Sequence, residues 1–252
     1  MMAFNALSRE APPLGGPAVL RQRWSEVSFV HWRVDPGAVA PYMPEGCSPD
    51  VLDGSSWVGL IGFQMSKSSF FGGPSIPWLG DFPEVNVRLY SIDEHGRRGV
   101  VFRSLEASHL IPVLVARAAF GLRYQWASMK IQASDGEVEY TTRRHGQRDA
   151  ASTLRVRPIP DPAADAELAQ DPVAEFLTAR WGFHERHLGR TIYCRNSHEP
   201  WPLQHAELVH LEDGLLAAAG FPGLSARAPD SVLYAPAVTT VFAPPQRGQR
   251  LG

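Results

Sequence analysis

The segment from Phe82 to Tyr90 alternates strictly between apolar and polar side chains, and this alternation strongly constrains the fold. The apolar set is Pro83, Val85, Val87 and Leu89, and the polar set is Glu84, Asn86, Arg88 and Tyr90. A period of two residues is typical of a β-strand whose two faces have different surroundings. The sequence therefore predicts that the apolar face of this strand packs in a hydrophobic core. The other face is either a solvated sheet surface or the lining of a polar cavity.

Further strand-like segments lie on both sides of this one, and turn signals separate most of them. They are predicted over 24–34, 56–65, 99–106, 124–131, 137–144, 153–156, 191–194, 201–211 and 232–242, the last as a strand pair interrupted by Pro236. Helices are predicted over 107–119, after Asp171-Pro172 and as one turn at 215–219, with His184 and His187 at the end of the second. This pattern favours an α+β fold that is mainly an antiparallel β-barrel with a few flanking helices.

Composition limits the classes of partner and location. The chain has 252 residues, 44% of them hydrophobic, and a formal net charge of -2, so neither a nucleic acid nor an acidic membrane is an expected partner. Cys47 and Cys194 form no motif, which argues against a disulfide framework or a zinc ribbon. Without a secretory signal or a membrane-spanning run, a cytoplasmic location is expected. The sequence leaves open whether the protein forms a homo-oligomer.

The chain reads as one domain over residues 19–244, between a flexible N-terminal arm at 1–18 and a frayed tail at 245–252. The loop that follows the second predicted strand is rich in aromatic residues over 70–78. Such a loop either packs over the core through its rings or forms a lid on a pocket.

Five features of the sequence are recognisable together: Ser56-Trp57-Val58-Gly59-Leu60, the Glu84–Tyr90 strand, Gly99-Val100-Val101-Phe102, Arg117 and the segment 201–207. They resemble the YqjF-like family of uncharacterised proteins. The resemblance runs from about Trp24 to Phe242. That family is distantly similar to the acetoacetate decarboxylase-like superfamily, whose fold is an antiparallel barrel with a site in its lumen. The resemblance therefore implies a barrel of that type.

The resemblance also assigns expected roles. If the apolar side of the Glu84–Tyr90 strand packs outward against helices, then Glu84, Asn86 and Arg88 line the lumen. Glu84 matches a glutamate that supports the site in acetoacetate decarboxylases. The position of their Schiff-base lysine is occupied by Tyr124 and that of a neighbouring lysine by Gln125. Decarboxylation through a lysine imine is therefore not expected.

Three further residues complete the candidate site. Lys130 and Trp126 lie on the same predicted strand face as Tyr124, and a lysine in an apolar cavity becomes a nucleophile at neutral pH. The alternative for Lys130 is a solvated side chain beside Asp135. Glu84, Tyr124 and Lys130 are the catalytic candidates, and Asn86, Arg88 and Trp126 the substrate-binding ones. Arg88 suits a carboxylate, although Glu84 and Arg88 are also read as structural barrel residues.

Three functions remain open at this point. The first is a lyase-type acid/base enzyme that acts on a small carbonyl or carboxylate compound without a Schiff-base lysine. The second is a non-catalytic small-molecule-binding barrel. The third is a metal-dependent hydrolase that uses the C-terminal histidines, although their spacing matches no zinc motif, so neither a metal nor another cofactor is expected.

Overall fold

A computed structural model describes residues 8–75, 80–109 and 121–247 of the chain. Within these ranges, thirteen strands join into one continuous sheet. The strands are β1 (Leu20–Val34), β2 (Cys47–Pro49), β3 (Ser56–Phe70), β4 (Phe82–Asp93), β5 (Arg98–Ala107), β6 (Tyr124–Ser134), β7 (Glu137–Arg144), β8 (Ala151–Ile159), β9 (Gly182–His187), β10 (Arg190–Ser197), β11 (Gln204–Asp213), β12 (Ser231–Phe242) and β13 (Gln246–Arg247). The helices are α1 (Pro36–Val39), α2 (Pro162–Leu168), α3 (Pro172–Thr178) and α4 (Leu215–Ala218), with 3-10 turns at Ala40–Tyr42 and Leu224–Ala226.

A wall of five antiparallel strands, in the order β12-β1-β3-β4-β5, forms the centre of the sheet. We call it the shared wall. From the end of β5 the sheet continues through β6, β7, β8 and β11 and returns to the start of β12, which closes a nine-stranded barrel. The β5–β6 pair is parallel and the other pairs of this barrel are antiparallel. The predicted barrel with few helices is therefore confirmed.

The opposite face of the shared wall is covered by the β9–β10 hairpin. Strand β9 joins β5 at Val100 and Phe183, and β10 joins β12 where Asn196 lies opposite Phe242. These two contacts close a second, smaller ring on the same wall. Both faces of the shared wall are therefore interior surfaces.

The alternation in β4 separates these two interiors. Val85, Val87 and Leu89 are buried in the core of the nine-stranded barrel, together with Tyr140 and Leu154 from the facing strands. The expectation that this apolar face packs outward against helices is wrong. Its partners lie mainly on other strands because the barrel closes over it.

Some local predictions also need correction. Residues 232–242 form one strand and not a pair. Pro236, which has no N–H, interrupts only the pairing with β1, and opposite it Glu26 has a φ of 50°. His184 and His187 lie on strand β9 and not at a helix end, because α3 ends at Thr178. That helix does begin after Asp171 as predicted, with the Asp171 side chain accepting from the N–H of Val173.

Other predictions fall partly outside the described residues. Of the helix predicted over 107–119, Ala107 is the last residue of β5, and residues 110–120 lie outside the described ranges. The carbonyl of Ser8 accepts a hydrogen bond from Trp181, and β13 pairs with β10. The division into arm, domain and tail stays a prediction. No helix in the described ranges is both long and apolar enough to cross a membrane.

The close contact between the shared wall and Tyr140 yields a test of the barrel core. A Cβ added at Gly62 would lie 2.9 Å from the Tyr140 ring. Because Tyr140 is buried and cannot yield without disturbing its neighbours, we expect Gly62→Ala to lower the free energy of unfolding by about 1–3 kcal/mol. Urea unfolding measures the change. Gly16→Ala, which places a Cβ with no atom within 4 Å, is the control and should have little effect.

Candidate functional site

A cavity of about 310 Å³ lies between the shared wall and the β9–β10 hairpin. Most of its lining is apolar and much of it is aromatic. The Phe and Trp side chains that line it are Trp24, Phe29, Phe63, Phe70, Phe82, Phe102, Phe183, Trp201 and Phe242. Polar groups include Glu84, Asn86, Arg88, Tyr124, Arg180, Asn196 and His198. A mostly apolar pocket with a few convergent polar groups is typical of a site for a small organic molecule.

Glu84 is the buried acid of this pocket, with a side chain only 2% exposed. Its Oε2 accepts a hydrogen bond from the Tyr124 hydroxyl at 2.8 Å, and its Oε1 accepts one from Asn86 Nδ2 at 3.2 Å. Burial raises the pKa of Glu84 to about 7, since the loss of hydration outweighs the two hydrogen bonds that favour the carboxylate. Glu84 is thus able to take up or release a proton near neutral pH.

Tyr124 remains a proton donor beside this carboxyl. Burial, together with the adjacent Glu84, holds the pKa of the Tyr124 phenol well above its usual value. The phenol therefore keeps its proton across the range in which Glu84 titrates.

Arg88 supplies a positive charge from the same face of β4. Its Nε donates to the Tyr90 hydroxyl at 3.1 Å and its Nη2 to the carbonyl of Leu177 at 2.9 Å. The Tyr90 hydroxyl is itself 2.6 Å from Nε2 of the buried His31. Within the described ranges Arg88 forms no ion pair with a carboxylate, so its charge is available to an anionic ligand.

Arg180, which the sequence reasoning missed, also lies against the Tyr90 ring. The guanidinium carbon atoms of Arg88 and Arg180 lie 5.5 and 4.8 Å from the centre of that ring. Arg180 forms a buried ion pair with Asp50 and donates to the carbonyl of Phe176 at 2.7 Å. Arg180 therefore has a carboxylate partner, which it shares with Arg98 at 3.4 Å, whereas Arg88 has none within the described ranges.

His198 also lines the pocket and was considered from the sequence only as a possible metal ligand. Burial lowers its pKa to about 4, so the ring is neutral at pH 7. Its Nδ1 lies 2.7 Å from the carbonyl of Glu199 and donates to it, which leaves Nε2 as an acceptor. No local signal marks Arg180 or His198, because both reach the pocket through the long-range closure of the β9–β10 hairpin.

Lys130 and Trp126 do not belong to this pocket. Lys130 is exposed, and Trp126 is 43% exposed with its ring 4.1 Å from that of His145. The predicted strand face was right, since Ala127 and Met129 point to the barrel core and the alternate residues point away. Tyr124, Gln125 and Trp126 all pair with β5, and of these three only Tyr124 lines the pocket. Lys130 lies on the later part of β6, which pairs with β7. Glu84, Asn86, Arg88 and Tyr124 are therefore together, and Lys130 and Trp126 are elsewhere.

The aromatic loop reaches the pocket in part. Phe70 and Gly80 line it, whereas Phe71 is 81% exposed. Residues 76–79, which include Trp78, lie outside the described ranges, so the lid stays a prediction.

Metal-ligating side chains do not gather in the described part of the chain. No group of three or more His, Cys, Asp or Glu residues there is placed to hold a metal ion. His184, for example, contacts Ser91 at 2.9 Å and Asp93 at 3.5 Å. The hydrolase interpretation thus gains no ligand set from these residues.

Comparison with known proteins supports the family and the fold. The profile of DUF2071, an uncharacterised conserved protein family, matches residues 21–239. The chain belongs to the DUF2071 family. This DUF2071 chain is 33% identical over 189 residues to the uncharacterised protein YqjF of Bacillus subtilis (strain 168), covering 75% of this chain and 76% of YqjF. The predicted YqjF-like resemblance is confirmed.

Solved structures with the same fold share little sequence with the DUF2071 chain. An acetoacetate decarboxylase-like enzyme from Sphingomonas wittichii RW1 is similar with a TM-score of 0.63 and 15% identity, over 99% of this chain and all of that one. The enduracididine biosynthesis enzyme MppR, solved with pyruvate, has a TM-score of 0.55 and 16% identity, over 92% of this chain and 90% of that one. These likenesses establish an acetoacetate decarboxylase-like fold.

The raised pKa of Glu84 predicts a pH dependence of stability. The unfolded chain releases this proton near pH 4.5 and the folded chain near pH 7, so between these values the folded state holds more protons. The free energy of unfolding should therefore fall as pH rises through this window, by up to about 3 kcal/mol from this group. In Glu84→Gln this part of the decrease should be absent.

Urea unfolding at a series of pH values measures both profiles. Glu45→Gln, which removes an exposed carboxyl, is the control and should keep the wild-type profile. Parallel profiles for wild type and Glu84→Gln would show that Glu84 titrates as in the unfolded chain.

Proposed function

We propose that this protein binds a small carbonyl or carboxylate compound in the pocket and transfers a proton at the carbonyl end of that compound. The observation that carries the proposal is one buried acid with a pKa of about 7, Glu84, on the same pocket wall as Arg88, a cation without a carboxylate partner among the described residues. Perturbed acids in a cleft are typical of catalytic sites.

Arg88 is the proposed anchor for a carboxylate. Its Nε and Nη2 are held by Tyr90 and Leu177, so the guanidinium is oriented before a ligand arrives. A fixed guanidinium loses less freedom on binding than a mobile one, which favours affinity.

Glu84 is the proposed acid and base. With a pKa near neutral pH, it is present in both protonation states and suits proton transfer in either direction. As a base it takes the proton from the carbon next to the carbonyl group. The C–H bond breaks, the proton goes to a carboxyl oxygen of Glu84, and the electron pair moves through the new carbon–carbon double bond to the carbonyl oxygen as an enolate. Return of the proton to carbon reverses the step.

The ligand class draws support from the fold neighbours and from the lysines. MppR, which shares the fold, was solved with pyruvate, an oxo acid. Both lysines of the chain, Lys67 and Lys130, are exposed and outside the pocket lining. Proton transfer by Glu84 is therefore a better proposal than an imine mechanism. The alternative, a non-catalytic binding barrel, is favoured by the same lack of a nucleophilic lysine.

Two variants separate binding from proton transfer. With a panel of short and long oxo acids, we expect Arg88→Gln to weaken binding at least tenfold, because a charged hydrogen bond is lost. We expect Glu84→Gln to bind the panel with similar affinity but to lose exchange of the C–H protons next to the ketone. Calorimetry measures binding, and loss of the proton NMR signal in D₂O measures exchange.

Arg143→Gln, which removes an exposed arginine, is the matched control and should behave as wild type in both assays. Binding that depends on Arg88 without any exchange would support the non-catalytic barrel. Exchange that persists in Glu84→Gln would remove Glu84 from the mechanism.

The imine mechanism has its own test. We expect incubation with acetoacetate and borohydride to add no stable mass increment to the protein, because neither lysine reaches the pocket. Mass spectrometry of the intact chain makes the measurement. A single increment that disappears in Lys130→Ala would overturn this expectation and make Lys130 the nucleophile.

A further inference from the structure

Glu84 and the proposed anchor Arg88 are too far apart to act together on a very short oxo acid. Glu84 and Arg88 lie four residues apart on one strand face, and four residues of strand span about 13 Å. Glu84 is hydrogen-bonded to Asn86, and Arg88 to Tyr90, so each group is tied to the side chain two residues further along. Both side chains therefore lean in the same direction along β4, so the carboxyl and the guanidinium keep the offset of about 13 Å between their α-carbons.

The neighbours of the strand residue between these groups are apolar. That residue is Asn86, and its cross-strand neighbours are Ile61 on β3 and Leu105 on β5, both of which line the pocket. Phe29 lies opposite Ile61 in the β1–β3 register, and its ring contacts Trp201 edge-on at 5.1 Å between centres. We call Phe29, Ile61, Leu105 and Trp201 the apolar belt. A ligand that touches both charged groups has to cross this belt.

We infer that the ligand is an oxo acid whose carboxylate and carbonyl group are separated by an extended apolar segment. This inference rests on the proposed function, because it assigns the carboxylate to Arg88 and the carbonyl end to Glu84. Hydrogen bonds of about 3 Å at each end leave about 7 Å between the two polar ends of the ligand. In pyruvate and acetoacetate the carboxylate and ketone carbons are bonded directly or through one carbon, so these acids are too short to reach both groups.

The size of the cavity agrees with a longer ligand. Its volume of about 310 Å³ falls at the lower end of the range for pockets that enclose drug-sized molecules. Acetoacetate would fill only part of it. An apolar body that fills the belt gains affinity from every methylene removed from water.

A homologous series of methyl ketone acids tests the inference. The ketone is moved one carbon at a time away from the carboxylate, from acetoacetate through levulinate to longer members. We expect affinity to increase about fourfold for each methylene buried in the belt, until the ligand spans the two groups. Deuterium exchange next to the ketone should be greatest at that same length, since only there does the carbon lie within reach of Glu84.

Two matched comparisons identify the anchor. In Arg88→Gln the preference of the exchange rate for one length should disappear, whereas Arg143→Gln should keep it. The methyl ester of the best acid, which has the same body without the charge, should bind wild type at least tenfold more weakly than the acid does. The ester should bind the Arg88→Gln variant with about the same affinity as the acid binds that variant. The comparison of acid and ester on wild type uses a single protein, so a difference in folding between variants cannot explain its result.

The outcomes distinguish the length from the mechanism. If acetoacetate exchanges fastest in a manner that depends on Glu84 and Arg88, the proposed function stands and the extended ligand is wrong. If the length preference survives in Arg88→Gln, the belt alone selects the ligand and the two-point contact is wrong. If no member of the series binds, both the proposed function and this inference are overturned.

Discussion

The shared wall has to bury both of its faces, and the rest of the structure follows from this requirement. A sheet that is apolar on one face is stabilised by one covering layer, but the polar face of β4 carries Glu84, Asn86 and Arg88 and is buried as well. A buried polar face is stable only if its groups find partners. The nine-stranded barrel provides the apolar core, and the β9–β10 hairpin with α3 provides the second cover, with the Leu177 carbonyl of α3 as one of those partners.

The partners differ in kind along the pocket, which determines what each charged group can do. Arg180 is buried against Asp50, a carboxylate that it shares with Arg98, so its charge is partly compensated. In the described part of the chain, Arg88 donates to a hydroxyl and a carbonyl oxygen and pairs with no carboxylate, so no described group compensates its charge. Glu84 avoids part of the cost of burial by taking up a proton more readily than an exposed glutamate does. The pocket thus combines a fixed positive charge with a group of variable charge.

The sequence was sufficient to find the wall of the pocket but not its cover. Strict alternation in β4 placed Glu84, Asn86 and Arg88 on one face, because period two depends only on local backbone geometry. The alternation alone does not show that the apolar face lines the core of the nine-stranded barrel. That barrel closes through pairs that are distant in sequence, such as Leu105 with Tyr124 and His205 with Leu233. For the same reason Arg180 escaped notice, and His198 was not placed in the pocket.

The errors on β6 and β9 have different physical causes. Lys130 was placed on the correct face of β6. That face is covered near Tyr124 and exposed to solvent further along the strand, where Lys130 lies. His184 was placed in a helical segment because the helix end at Thr178 carries no glycine or proline signal. The tertiary contacts of β9 with β5 and β10 decide its conformation there.

The uneven attachment of the two covers has a consequence for how such a protein diversifies. The hairpin meets β5 at a single residue pair, Val100 and Phe183, and meets β12 at two pairs, whereas the nine-stranded barrel has its own separate core. Substitutions on the hairpin can therefore reshape the pocket while that core stays intact. One scaffold of this kind is able to acquire new ligands during evolution without having to solve its folding problem again.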